Sequence, residues 1–273
     1  MGFKVSRNYL RQFLDYCGKN GFRYSYDQFV MKFFPYAIAP AARSRLSHLK
    51  KFIDYSLPSK GGHVLDAGCG TGWVSFWLKN NVQRDFDLIC ADLSDQSLTE
   101  ARMLFSFFNQ EIPIIKSDIC QLPFPSSYFH AVIAFSVLEH IPRVELALEE
   151  MNRVLKPNGY LIVNLPNKFG SYSLLNDQLL PFLLGLGAKE GSIESYHEHL
   201  HGFNWWREKF ECHGFEVINT RNIEFLTTYF VNAARLLRLS RRYLYPITFL
   251  DDKVAKLIPK LLASDWAIAL TKR

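Results

Sequence analysis

Val64-Leu65-Asp66-Ala67-Gly68-Cys69-Gly70-Thr71-Gly72 decides the fold of this chain. An apolar run ends in an acid, three glycines follow at alternate positions, and Trp73 to Lys79 reads as a helix. The order is therefore strand, tight turn, helix N-terminus. Alternate glycines let the backbone take φ > 0 and let a ligand come close where a Cβ would collide. The unpaired N–H groups that open the helix face the same space. A small polar ligand is expected across this turn.

The neighbouring residues separate the candidate ligands. In the dinucleotide pattern G-x-G-x-x-G the pyrophosphate rests on the helix N-terminus. Gly68 and Gly70 fit that pattern, but the third glycine is Gly72, and Trp73 stands where a small residue is wanted. Asp66 is a poor neighbour for a pyrophosphate and a good one for a cationic amino-acid head group. The stretch closely resembles the first motif of class I methyltransferases that use S-adenosylmethionine. A nucleotide-dependent oxidoreductase and a non-catalytic scaffold that keeps the cofactor fold stand as the alternatives.

From residue 63 onward, strands and helices alternate. His63 to Asp66, Phe86 to Asp92, Pro113 to Lys116, Ala131 to Phe135 and Tyr160 to Asn164 read as strands, and Ala131 to Phe135 is almost wholly apolar, as a strand buried on both faces should be. Helices are predicted from Ser94, as N-cap, to about Asn109 and from Val144 to Leu155, the latter ended by Lys156-Pro157-Asn158-Gly159. Asn204 to His213 and Phe215 to Ile218 read as a further helix and a sixth strand, and Trp266 to Leu270 as the last strand. The predicted fold is α/β, a doubly wound, Rossmann-like, mainly parallel seven-stranded sheet. The resemblance adds that the last strand runs antiparallel. Residues 1–60 are predicted as a helical N-terminal extension, with Tyr9, Phe13 and Tyr16 on one helix face.

The resemblance is a series of motifs over roughly residues 63 to 165. It includes Asp118-Ile119-Cys120-Gln121-Leu122-Pro123-Phe124, Phe135-Ser136-Val137-Leu138-Glu139-His140-Ile141 and Arg153-Val154-Leu155-Lys156-Pro157-Asn158-Gly159-Tyr160. These look like the small-molecule branch of the class, in which ubiquinone-type methyltransferases fall. The domain is expected to span 61–223 and 264–273. Asp92, twenty positions after Gly72, ends a strand where an acid can accept both hydroxyls of a ribose, at roughly 1.5–3 kcal/mol for each charge-assisted bond. The resemblance implies that Leu93 sits beside it, that Asp118 and Ile119 meet the adenine, and that Phe135 and Ser136 line the pocket beneath. Asp66, Gly68 and Gly70 would then hold the methionine end.

Methyl transfer from a sulfonium draws its reactivity from the cofactor, so the protein chiefly aligns the acceptor and excludes water. A base is needed only when the acceptor must lose a proton. His140, His199 and His201 are the candidates. An E-x-x-E-H pattern goes with a divalent metal in ubiquinone-type relatives, but Ser136 occupies its first position here. His199 and His201 alternate in Ser195-Tyr196-His197-Glu198-His199-Leu200-His201 with no accompanying ligand set, so no metal site is predicted. The resemblance also suggests that the N-terminal extension is a lid. Residues 168–203 have the composition of a substrate flap.

Composition bounds the partners. The 273 residues are 48% apolar and 15% aromatic, enough for a large core, and the net charge of +6 is no nucleic-acid signature. Five cysteines form no C-x-x-C pair, which points to reduced thiols and a cytoplasmic protein. Residues 224–263 form a basic insertion, predicted helical, in which Arg235, Arg238, Arg241 and Arg242 mix with Leu236, Leu237, Leu239, Tyr243 and Tyr245. That mixture suits peripheral contact with an anionic membrane or a lipid-linked substrate. The expected activity is methyl transfer from S-adenosylmethionine to a small-molecule acceptor, at an oxygen of a lipophilic or lipid-linked compound.

Overall fold

The computed structural model describes residues 7–34, 40–59, 61–170, 199–223, 254–255 and 257–273. Its centre is a sheet of β1 (His63–Ala67), β2 (Asp87–Asp92), β3 (Ile114–Lys116), β4 (Phe129–Phe135), β5 (Leu155–Pro166), β6 (Phe215–Ile223) and β7 (Asp265–Lys272). The strand order is β3-β2-β1-β4-β5-β7-β6, parallel except for β7, which runs antiparallel to both β5 and β6. The order turns back between β1 and β4. Sheets of this kind bind ligands at such a switch point, beyond the C-terminal ends of the strands.

Helices cover both faces. One face packs against α1 (Arg7–Lys19), α2 (Tyr26–Phe33), α3 (Pro40–Ser56), α4 (Trp73–Asn81) and α5 (Asp95–Phe107). The other packs against α6 (Val144–Val154) and α7 (Phe203–Cys212). α6 buries Val144, Ala147, Leu148, Met151 and Val154, the recurring three- and four-residue spacing of one helix face. Ser94 caps α5 as predicted, its hydroxyl accepting from the Ser97 N–H at 3.2 Å.

Two strands begin earlier than their apolar runs. β4 starts at Phe129, which pairs with Leu155, and the next residue, His130, accepts at Nδ1 from the His63 N–H at 3.0 Å. In β5, Leu155 pairs with Phe129 and Tyr160 with Ala131, so the predicted turn at residues 156–159 is a bulge inside the strand, with Asn158 at φ 59°.

The N-terminal helices are built into the core. Phe13 is fully buried and meets Phe29, Phe33, Phe34, Phe107 and Phe108 at ring-centroid distances of 4.9–6.1 Å. Tyr16 joins this cluster, whereas Tyr9 is 55% exposed at its edge, so the predicted aromatic face of α1 is narrower than its spacing suggests. Glu100 of α5 is buried, and its Oε1 accepts from the Tyr24 hydroxyl and the Lys32 ammonium, each at 2.5 Å, and from the Gln96 amide at 3.2 Å. Most of the predicted flap, 171–198, and most of the basic insertion, including its four arginines, lie outside the described residues.

Candidate cofactor site at the glycine turn

The three glycines of the turn have φ of 79°, 54° and 75°, all in the left-handed region, but for different reasons. A Cβ on Gly68 would lie 2.6 Å from the Val137 side chain, and one on Gly72 would lie 2.6 Å from the Phe105 ring. A Cβ on Gly70 would meet nothing within 4 Å. Gly68 and Gly72 are thus demanded by packing, while Gly70 borders open space. The Gly68 and Cys69 N–H groups donate to the Ala91 carbonyl at 2.7 and 3.0 Å, which pins the turn to the end of β2.

Asp92 closes the same loop. Its Oδ2 accepts from the Gly70 N–H at 2.8 Å and its Oδ1 from the Ser94 N–H at 2.9 Å. Each carboxylate oxygen keeps a lone pair for a further donor. Leu93 is 63% exposed beside it. After β3, Asp118 Oδ1 accepts from the Cys120 N–H at 2.8 Å, an Asx turn, and Ile119 is buried between these two residues. At the end of β4, Phe135 packs edge-on against Trp73 with centroids 5.9 Å apart. Ser136 follows with φ 56°, a left-handed conformation that costs a non-glycine residue roughly 1–2 kcal/mol. Its N–H donates to the Asn164 carbonyl at 3.2 Å.

Asp66 lies beneath the turn rather than on its surface. It is 1% exposed, and its Oδ2 accepts from the Ser75 hydroxyl at 2.6 Å. Burial pushes its pKa up to about 7; the Ser75 bond opposes the rise and the Asp92 charge adds to it. Asp66 therefore acts on the turn through Ser75 and α4. A turn suited to a ribose and an amino-acid head group fits these donors and acceptors: an open cradle at Gly70, an acid with spare lone pairs at Asp92, and a second acid beyond β3.

The turn that follows β4, Leu138–His140, carries His140 and meets the segment of His199, whose ring centroid lies 5.8 Å from that of His201. His140 is exposed at the end of the turn. The His199 N–H donates to the Glu139 carbonyl at 3.0 Å, which sets the two segments side by side. His199 and His201 both stack on Trp205, with centroids 5.5 and 3.8 Å away. Partial burial, with His199, Lys168 and Lys209 nearby, lowers the His201 pKa and so favours the neutral ring. Among the described residues no cluster of His, Cys, Asp or Glu could hold a metal ion, and no helix is long and apolar enough to cross a membrane. None of the five cysteines is paired.

The sequence assigns no role to several further polar residues. Glu139 is 1% exposed, and its Oε2 has no hydrogen-bond partner among the described residues. Burial pushes its pKa up to about 8; the charge of Asp265 adds to the rise, while a backbone hydrogen bond and the Arg45 charge oppose it. Arg45 and Asp265 themselves form an ion pair between α3 and β7. Asn164, fully buried in β5, has both side-chain polar atoms unpartnered among the described residues. Thr71, in the glycine turn, donates to the Lys32 carbonyl at 3.0 Å. Beyond β5 an open cleft of about 540 Å³ is lined by Lys168, Phe169, His201, Phe203, Trp205 and Lys260, among others.

Residues 65–163 match the family described as "Methyltransferase domain". The ubiquinone/menaquinone biosynthesis C-methyltransferase UbiE of Neisseria meningitidis is 32% identical over 142 residues, covering 50% of this chain and 58% of that protein. The uncharacterized methyltransferase YodH of Bacillus subtilis is 32% identical over 127 residues, covering 46% of this chain and 53% of that one. The chain thus spans less than two thirds of the length of either relative. Among solved structures, the [4+2]-cyclase SpnF superposes with a TM-score of 0.58 at 18% identity over 85% of this chain and 82% of that one. The PH0226 protein of Pyrococcus horikoshii gives 0.56 at 18% over 85% and 91%. Those likenesses are of fold alone. The matched residues run from within β1 to within β5 and contain the glycine turn, Asp92, Asp118 and Phe135.

Proposed function

We propose, from the premise that residues 65–163 are a class I S-adenosylmethionine-dependent methyltransferase domain, that this chain transfers the methyl group of that cofactor to a small lipophilic acceptor. The observation that carries the reading is the open space at Gly70 beside Asp92, on a turn whose other two glycines are filled by Val137 and Phe105. The Gly68–Gly70 turn would hold the amino-acid end of the cofactor, with the buried Asp66–Ser75 pair bracing it from beneath. Asp92, with Leu93 at its side, would take the ribose, Asp118 and Ile119 the adenine, and Phe135 and Ser136 the floor of the pocket. When bound, the cofactor supplies a methyl group already activated for displacement.

The acceptor we infer is a phenol or enol. Loss of its proton makes the oxygen nucleophilic and, by conjugation, the adjacent carbon as well. The oxygen acceptor expected from the sequence and the C-methyl transfer in the name of the Neisseria relative therefore share one requirement, a base near the acceptor. His140, at the exposed end of the turn after β4, is the residue we assign to that role, with His199 holding the turn beside it and His201 stacked on Trp205 further along.

Calorimetry with S-adenosylhomocysteine and, separately, with NADH tests the donor. Binding of the first and not the second is expected, and NADH binding alone would overturn the reading. Asp92→Ala should weaken S-adenosylhomocysteine at least about tenfold, from loss of one or two charge-assisted bonds. Incubation with a methyl-labelled donor and a panel of phenols, with products identified by mass, tests the acceptor.

A further inference from the structure

The cleft beyond β5 has a chemistry of its own. Phe169, Phe203 and Trp205 supply aromatic walls, with His201 stacked on Trp205 at 3.8 Å and 19°. Two cations, Lys168 and Lys260, share the lining with them, and no acidic residue does among the described residues. The Lys260 ammonium stands 4.1 Å from the centre of the Phe203 ring, and no carboxylate pairs with it among the described residues. Its pKa lies below the usual lysine range, held there by partial burial and by Arg207 nearby. A cation in that state gains from an incoming anion.

The walls are held in place before any ligand arrives. Asn167, 2% exposed, donates its amide to the carbonyls of Leu261 and Ala263, each at 2.8 Å, and its Oδ1 accepts from the Phe169 N–H at 3.0 Å. Trp266 Nε1 donates to the Lys260 carbonyl at 2.9 Å. The Lys168 N–H donates to the His201 carbonyl at 3.3 Å. One buried amide thus ties the segment carrying Phe169 to the one carrying Lys260, and the cleft is preorganised rather than induced. It opens at the C-terminal end of β5, on the same edge of the sheet as the glycine turn.

We propose that this cleft binds a planar aromatic molecule bearing a carboxylate or phosphate, its ring against Phe169, Phe203 and Trp205 and its anion at Lys168 and Lys260. As a description of the methyl acceptor this rests on the function proposed above; as a ligand site it does not. Flat aromatic faces and cations set beside them each select for such a ligand over an aliphatic or neutral one.

Calorimetric titration of the full chain with 2-naphthoate, 2-naphthyl phosphate and neutral 2-naphthylmethanol tests the site, and comparing the two anions tells which group is preferred. Saturable binding of at least one anion, with the alcohol clearly weaker, is expected. Lys260→Gln and Lys168→Gln should each weaken the preferred anion by about fivefold, as a solvent-accessible charge contact predicts. Both variants should keep wild-type affinity for S-adenosylhomocysteine, which reports an intact fold without using the cleft. Equal binding of alcohol and anions, no saturable binding of either anion, or undiminished anion binding in both variants would overturn the proposal. Loss of S-adenosylhomocysteine binding by the wild-type chain would overturn the methyltransferase reading and leave the ligand site standing.

Discussion

The Thr71 side chain, inside the glycine turn, donates its hydroxyl hydrogen to the backbone carbonyl of Lys32 in α2, at 3.0 Å. The N-terminal helices are therefore joined to the glycine turn itself and not only to the outer face of the domain. Thr71→Val keeps the shape and removes that bond, at a cost of about 1 kcal/mol. Faster amide exchange in α2 and weaker S-adenosylhomocysteine binding should appear together. Unchanged exchange in α2 would show that the bond does not couple the two segments.

The glycines should separate by kind. Gly68→Ala and Gly72→Ala force a Cβ into Val137 or Phe105 and should lose stability, by about 1–3 kcal/mol from overpacking alone. Gly70→Ala meets no neighbour, so its fold should suffer only the backbone strain of about 1–2 kcal/mol while its cofactor binding is largely lost. Denaturant unfolding read beside calorimetry checks the pattern. A Gly70→Ala protein with normal cofactor affinity would contradict it.

At Glu100 the two partners are unequal. Lys32→Met strands a buried carboxylate and should cost about 3 kcal/mol or more, whereas Glu100→Gln leaves a lysine that reaches solvent and should cost less. Urea midpoints of the two variants measure the difference, and equal losses would mean that the carboxylate is not the costly member of the pair.

Asp66 and Glu139 set a pH dependence. Burial raises them to about 7 and about 8, so each holds a proton in the folded chain at pH values where the unfolded chain has released it. The folded state then binds more protons, and stability should fall as pH rises from the ordinary carboxylate range to about 8, and level off above that. Glu139→Gln, neutral throughout, should make the fall shallower. Urea unfolding at several pH values gives both slopes, and identical slopes would show that Glu139 ionises normally.

Much of the sheet was legible because its strands are apolar runs closed by glycines or acids, and because Asp92 stands at a fixed distance from Gly72. The strand ends were less so. β4 and β5 begin at Phe129 and Leu155, where a polar residue, His130, held by the His63 N–H, and a four-residue bulge replace the apolar signal. In the site, the turn and Asp92 are read from residue types and spacing and Asp118 from the resemblance, whereas the burial of Asp66 beneath Ser75 is in neither. The Asn167 clamp joins residues more than ninety positions apart, and Thr71 meets Lys32 across thirty-nine. Polar residues of this kind show no periodicity, since their partners are supplied only by the finished fold.

Because β7 runs antiparallel between β5 and β6, the chain leaves β6 and enters β7 at one edge of the sheet, the edge where β5 also ends. Both long connections of the second half, between Gly170 and His199 and between Ile223 and Asp265, therefore start and finish beside the same opening, while the residues matched to the methyltransferase domain stop before either begins. Insertions, deletions or wholesale replacement in these two connections can remodel the space beside that opening without touching the matched strands.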